Sequence, residues 1–87
     1  MPVVFIPKAL RELTAGATEV IVEGASVGEV IDALETRFPG VRSQLCRGDS
    51  LAPGIQISVD ERMTIRGLQT KLQPSSEVHF LPMIGGG

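Results

Sequence analysis

Tryptophan and tyrosine are absent from this 87-residue chain, and phenylalanine occurs only three times. At 43% hydrophobic content the core is therefore aliphatic, and few aromatic platforms remain for stacking nucleobases. Cysteine occurs once, as Cys46, which excludes an internal disulfide and a cysteine-based metal site and fits a reducing cytoplasm. Positive charge is not in excess either. Eight Lys and Arg against ten Asp and Glu give a net charge of −2, and the cations are scattered, so neither nucleic acid nor an anionic membrane is an expected partner. No apolar run approaches the roughly 20 residues that cross a bilayer. Met1 to Pro7 is apolar but carries no basic residue and is interrupted by proline, unlike a secretory signal.

A chain of this length makes one small domain with a single core and leaves little room for a cofactor cavity and a catalytic apparatus. No intrinsic enzyme activity, resident cofactor or metal is expected. Val3 to Ile6, β-branched and aromatic between prolines, predicts a strand. Lys8 to Ala15 holds Leu10 and Leu13 at helical spacing but is short, and predicts a turn or one loose helical turn. Glu19 to Glu23 predicts a second strand, in an antiparallel hairpin with the first.

The clearest element starts at Ser26. Ser26-Val27-Gly28-Glu29 has the form of a capping box, and Val27, Val30, Ile31, Leu34 and Phe38 recur on one helical face. Glu29, Asp32, Glu35 and Arg37 fall on the opposite, solvated side, and Pro39-Gly40 ends the helix. Val41 to Pro53 is a polar connection with room for a helical turn at Val41 to Cys46. Ile55 to Val59 alternates with period two, which points Ile55, Ile57 and Val59 inward and Gln56 and Ser58 outward. Asp60-Glu61 predicts a turn, Met63 to Ile65 an edge strand, and Gly67 to Pro74 a loop whose Leu68 and Leu72 plug the core. Val78 to Leu81 is the last strand, with Val78 and Phe80 inward and His79 and Leu81 outward. One helix on one face of a mixed sheet, with the first and last strands as central neighbours, is the economical arrangement.

The end of the chain carries the functional signal. Pro82 lacks an N–H and is expected to stop the last strand, which divides the chain into a domain over 1–81 and a tail over 82–87. In that tail only Met83 and Ile84 have apolar area to bury, worth roughly 1.5–3 kcal/mol each at best. Fixing its backbone costs about 1–2 kcal/mol per residue, so the tail is expected to be disordered in isolation. Extended at roughly 3.3 Å per residue it reaches about 20 Å. Its last residues, Gly85-Gly86-Gly87, have no Cβ to obstruct a narrow channel or a catalyst approaching the backbone.

The whole chain resembles the ubiquitin-like β-grasp sulfur carriers, among them the small subunit of molybdopterin synthase, the thiamine-pathway carrier and the carrier of thiocarboxylate-dependent cysteine synthesis. The resemblance rests on the opening strand with Leu10-Arg11-Glu12-Leu13 and on Ser26 to Leu34 leading to Phe38-Pro39-Gly40. It rests further on Ile57 to Glu61 and, most specifically, on Val78 to Pro82 followed by terminal glycines. It implies an α+β, ubiquitin-like β-grasp fold of about five strands with one main helix. It also implies that a ubiquitin-activating-like adenylyltransferase uses ATP to adenylate the Gly87 carboxylate beside the open Gly86. A sulfur donor protein then converts it to a thiocarboxylate, and a sulfur-accepting synthase takes the sulfur for cysteine, molybdopterin, thiamine or another metabolite.

Two departures stand out. Gly85 makes a third glycine where relatives end in two, so either the stalk is one residue longer or Gly87 is trimmed before activation. Ser58 stands where relatives often carry an aromatic residue.

Phe5, His79 and Leu81 are the candidate docking residues; they either form an open apolar patch on the sheet or lie under a loop or edge strand. His79 has no nucleophile or metal ligand in its pattern, which favours a docking or surface histidine over a general base. Cys46, following Leu45, suits packing better than reactivity. Arg11, Arg62, Arg66 and Lys71 are available to an acidic partner, and the sequence does not arrange them. Two other functions fit the same residues: a modifier joined through Gly87 to lysines, and an adaptor that binds by its sheet face alone.

Overall fold

The computed structural model describes residues 1–82. The expectations for Met83, Ile84, Gly85, Gly86 and Gly87 fall outside the described residues.

Five strands form the main sheet: β1 (Val3–Phe5), β2 (Glu19–Ile21), β5 (Ile55–Val59), β6 (Arg62–Thr64) and β7 (Glu77–Pro82). Two short strands, β3 (Cys46–Arg47) and β4 (Ser50–Leu51), make a separate hairpin. The main order is β2-β1-β7-β5-β6, so β7 is central, parallel to β1 and antiparallel to β5. The hairpin of β1 and β2 and the central pairing of first and last strands are as the sequence predicts.

The main helix, α1 (Val27–Arg37), buries Val27, Val30, Ile31 and Leu34 in one cluster with Val4, Val20, Ile57, Val78 and Phe80. This mixed sheet with one main helix is the α+β ubiquitin-like fold. Ser26 Oγ accepts the Glu29 N–H at 3.2 Å. The reciprocal carboxylate bond goes one residue further back than a standard capping box, with Glu29 Oε1 accepting the Ala25 N–H at 3.1 Å. The chain turns tightly into this cap. A Cβ on Gly24 would sit 2.7 Å from Val30 Cγ2 and 2.8 Å from Val30 N, so only glycine allows the approach.

Four sequence expectations change, besides a one-residue shift of the edge strand from Met63 to Ile65 onto Arg62–Thr64. Glu35 is not a solvated helix-face residue. Its carboxylate accepts the Gly40 N–H at 3.1 Å and the Arg42 N–H at 2.9 Å, holding the start of the short helix α2 (Val41–Leu45). Gly40, at φ 104°, makes the turn between the helices, and the carboxylate satisfies N–H groups that a helix start leaves orphaned. Ser58 faces outward yet is only 8% exposed, because its short side chain lies between His79 and Met63, its partners on the adjoining strands. The second strand stops at Ile21, although Val22 stays buried and its N–H donates to the Pro2 carbonyl at 3.1 Å.

The fourth is the last strand, which runs from Glu77 to Pro82 instead of Val78 to Leu81. Pro82 stands opposite Ile55 in the register, a terminal position that does not require its missing N–H. The start of the strand is fixed by Asp60. Its carboxylate accepts the Glu77 N–H at 2.9 Å and the Ser76 hydroxyl at 3.1 Å, and its own N–H donates to the Glu77 carbonyl at 3.0 Å.

Candidate functional site

Leu81 and Pro82 end the strand at the centre of the sheet order; β1 pairs with it over Glu77 to His79, and β5 alone continues beside Leu81 and Pro82. The registers define what surrounds that end. Phe5 lies opposite His79, His79 opposite Ser58, and Ser58 opposite Met63, while Glu19 pairs with Phe5. These five residues therefore form one row across the face of the sheet that α1 leaves uncovered.

Phe5 and His79 stack with ring centroids 4.1 Å apart and planes 4° from parallel. Each half-buries the other, so the middle of a row that is otherwise mixed in polarity is an aromatic pair. Among the described residues no hydrogen bond involves a His79 ring nitrogen, and no group of three His, Cys, Asp or Glu is placed to hold a metal. Leu81, 38% exposed, lies two residues along β7 on the same face, opposite Gln56. The three candidate docking residues thus share a face. Phe5 and His79 touch, and all three line a shallow groove of about 370 Å³.

Sequence reasoning missed two features of this region. The first is Arg11 on the wall of that groove, held by a bond from its Nε to the Ile6 carbonyl at 3.1 Å. Nothing local in Leu10-Arg11-Glu12-Leu13 announces this, because the contact depends on the turn that folds the segment back over β1. The second is a larger apolar cleft of about 860 Å³, lined by Leu10, Leu45, Ile55, Phe80 and Leu81, with Lys8 and Glu12 also at its walls. It lies between the turn after β1, residues Gln44 and Leu45 of α2, and the ends of β5 and β7. Phe80 and Leu81 line both depressions, so the strand end stands between them.

Cys46 takes no part. It is buried at the start of β3, and burial pushes its thiol above the ordinary value of 9.0, an effect that the nearby Arg42 guanidinium opposes. An unfolded chain would ionise this thiol before the folded one, so its contribution to stability is intact below 9.0 and declines as pH rises past it. Native Cys46 is accordingly expected to alkylate with iodoacetamide at neutral pH roughly tenfold or more slowly than the urea-unfolded chain. Equal rates, read by mass spectrometry, would show an accessible thiol instead.

Comparison with known proteins agrees along the whole chain. The ThiS family model matches residues 4–87. The sulfur carrier protein CysO of Mycobacterium tuberculosis is 31% identical over 91 aligned residues, covering 97% of this chain and 96% of that protein. A chain in the crystal structure of the Amycolatopsis orientalis BexX/CysO complex superposes with a TM-score of 0.92 at 30% identity, with all of both chains covered. The solution structure of small archaeal modifier protein 1 from Methanosarcina acetivorans gives a TM-score of 0.79 at 28% identity, covering 99% of this chain and 95% of that one.

Proposed function

This chain belongs to the ThiS family, and from that premise we propose how it works. It is a non-catalytic sulfur carrier whose reacting group is its own terminal carboxylate, on Gly87 or, after trimming, on Gly86. A free carboxylate resists nucleophiles because resonance and negative charge protect its carbon. Attack of one carboxylate oxygen on the α-phosphorus of ATP expels pyrophosphate and leaves an acyl-adenylate. The outer sulfur of a donor protein's persulfide then attacks the acyl carbon and expels AMP, and a second thiol of the donor attacks the donor-side sulfur of the resulting acyl disulfide, which releases the thiocarboxylate and leaves a disulfide on the donor. The tethered sulfur is presented to its acceptor at high effective concentration.

The observation that carries this reading is the exit of the last strand at Pro82 from the centre of the sheet, between two depressions. A partner gripping the Phe5, His79 and Leu81 face while taking Pro82 to Gly87 into its active site would work on a substrate with a fixed root. Five residues beyond Pro82 extend roughly 16 Å at about 3.3 Å each, enough to enter such a site.

We assign the gripping partner to a ubiquitin-activating-like adenylyltransferase, the acceptor to a synthase and the compartment to the cytoplasm. Likeness to CysO favours cysteine synthesis over molybdopterin or thiamine. No helix among the described residues is long and apolar enough to cross a membrane.

Incubation with the activating enzyme, ATP and a sulfur donor, followed by intact mass, tests the chemistry. The expected result is replacement of one oxygen by sulfur, and an unchanged mass rejects it. Likeness to the archaeal modifier supports a second use of the same terminus, conjugation to lysines. Isopeptide-linked adducts in cell lysate would establish that use, and their absence would confine the chain to sulfur transfer.

A further inference from the structure

The two edges of the sheet are treated differently. At β2 the outward carbonyl of Ile21 is already taken, by Arg37 Nη1 of α1 at 3.0 Å. At β6 no strand or side chain among the described residues fills the outer side. Asp60 and Glu61, at φ 51° and 69°, form the two-residue turn that makes Val59 and Arg62 a hydrogen-bonded pair. By the alternation of antiparallel ladders, Met63 then turns its N–H and C=O away from β5, and Ile65 follows just past the strand. Both side chains are bare, Met63 52% and Ile65 101% exposed.

Charge is distributed as unevenly as shape. Arg62, Arg66 and Lys71 fall within ten residues that contain no Asp or Glu, on a chain of net charge −2. Arg62 and Arg66 are exposed, and among the described residues the one salt bridge is that between Arg42 and Asp32. We propose that β6 is a second docking site, one that accepts an extended, acidic segment of a partner protein as a sixth strand.

The Met63 and Ile65 main-chain groups would supply the ladder, and their side chains the apolar contact for alternate residues of the segment. Arg62 and Arg66 would meet carboxylates at its ends. A second copy of this chain does not fit. Two β6 edges paired antiparallel about Thr64 would set Arg62 of each against Arg66 of the other, and pairing β6 with β2 would displace Arg37 from Ile21. Charges on an edge strand ordinarily serve to repel further strands. Here they repel like edges while leaving an acidic one attracted.

The test uses the isotope-labelled full chain and two short peptides, a Val-Thr-Ile-Thr-Val core flanked by aspartates and glutamates and the same core flanked by lysines. Amide shifts centred on Arg62 to Arg66 are expected with the acidic peptide only, weakening with added salt. The double variant Arg62→Glu, Arg66→Glu is expected to bind roughly tenfold or more weakly. An acidic peptide N-methylated at its ladder positions is expected not to bind. Both arginine side chains are exposed and make no hydrogen bond or salt bridge among the described residues, so the variant retains its fold, which its spectrum verifies. Absence of binding, binding indifferent to the charge reversal, shifts centred instead on Phe5, His79 and Leu81, or peptide-free self-association at β6 would each overturn the proposal. Sulfur loading does not depend on this edge, so intact-mass results bear on the carrier function separately.

Discussion

Deleting Gly86 and Gly87 together is expected to abolish sulfur loading, with intact mass unchanged after incubation with activating enzyme, ATP and donor, while the thermal midpoint stays where it was. The two outcomes separate because glycines have no side chain to bury, so their loss removes little apolar area while it removes the reacting acyl group. Removal leaves Gly85 as the terminus. The carboxylate still exists, but its reach falls by one residue if Gly87 is trimmed and by two if it is not, roughly 3 or 7 Å at the extended spacing, which takes the acyl carbon away from the near-attack position the reaction requires. Deleting Gly87 alone distinguishes the two accounts of the third glycine. If the chain is trimmed before activation, the shortened protein loads without the trimming step. If Gly87 itself is activated, loading falls sharply. A Gly86→Val chain is expected to load poorly as well, since a β-branched side chain obstructs a channel shaped for bare backbone. A double-deletion chain that still acquired sulfur would place the chemistry elsewhere.

Phe80→Ala is expected to have the largest effect on stability, a loss of about 3–5 kcal/mol. Phe80 is 3% exposed on the central strand, opposite Ile57, and belongs to the cluster that α1 covers. Truncation removes a large ring from a cluster held between α1 and the paired strand β5, which cannot readily collapse to fill the cavity. In a domain of this size each kcal/mol moves the thermal midpoint by roughly 4–8 °C, so the drop should be unmistakable by calorimetry or urea unfolding. A loss under about 1 kcal/mol would mean that the site relaxes far more than close packing allows. Below its midpoint the variant should still load sulfur, the converse of the glycine deletion. Handle and reacting terminus can then be impaired independently.

How far the sequence determines this molecule depends on how local the deciding interaction is. The cap at Ser26 and the buried stripe Val27, Val30, Ile31 and Leu34 are legible because helix periodicity and capping involve residues a few positions apart. The hairpin of β1 and β2 and the turn at Asp60-Glu61 follow for the same reason. The role of Glu35 is not legible, because its partners, Gly40 and Arg42, are reached only after the chain reverses at a left-handed glycine. The burial of Ser58 is not legible either, because alternation gives the face of a residue and not the size of the neighbours beside it. The hairpin of β3 and β4 gives no periodic signal at two residues per strand.

Of the candidate site, the residue types were readable and their assembly was not. Phe5 and His79 are far apart in the chain and meet only through the parallel register of β1 with β7. Arg11 and the cleft beside Leu45 and Ile55 depend on turns packing against a strand from the other end of the sequence.

By itself, then, the order of residues determined an aliphatic single-helix domain, its cap and turns, and a glycine end following a strand, since these are written in composition and in spacings within one or two turns. Only the tertiary structure decided the register between the strands, which aromatic ring lies on His79, and which of two sheet edges is guarded. Those outcomes are set by pairing between segments distant in sequence, where register and side-chain reach, rather than local preference, carry the free energy.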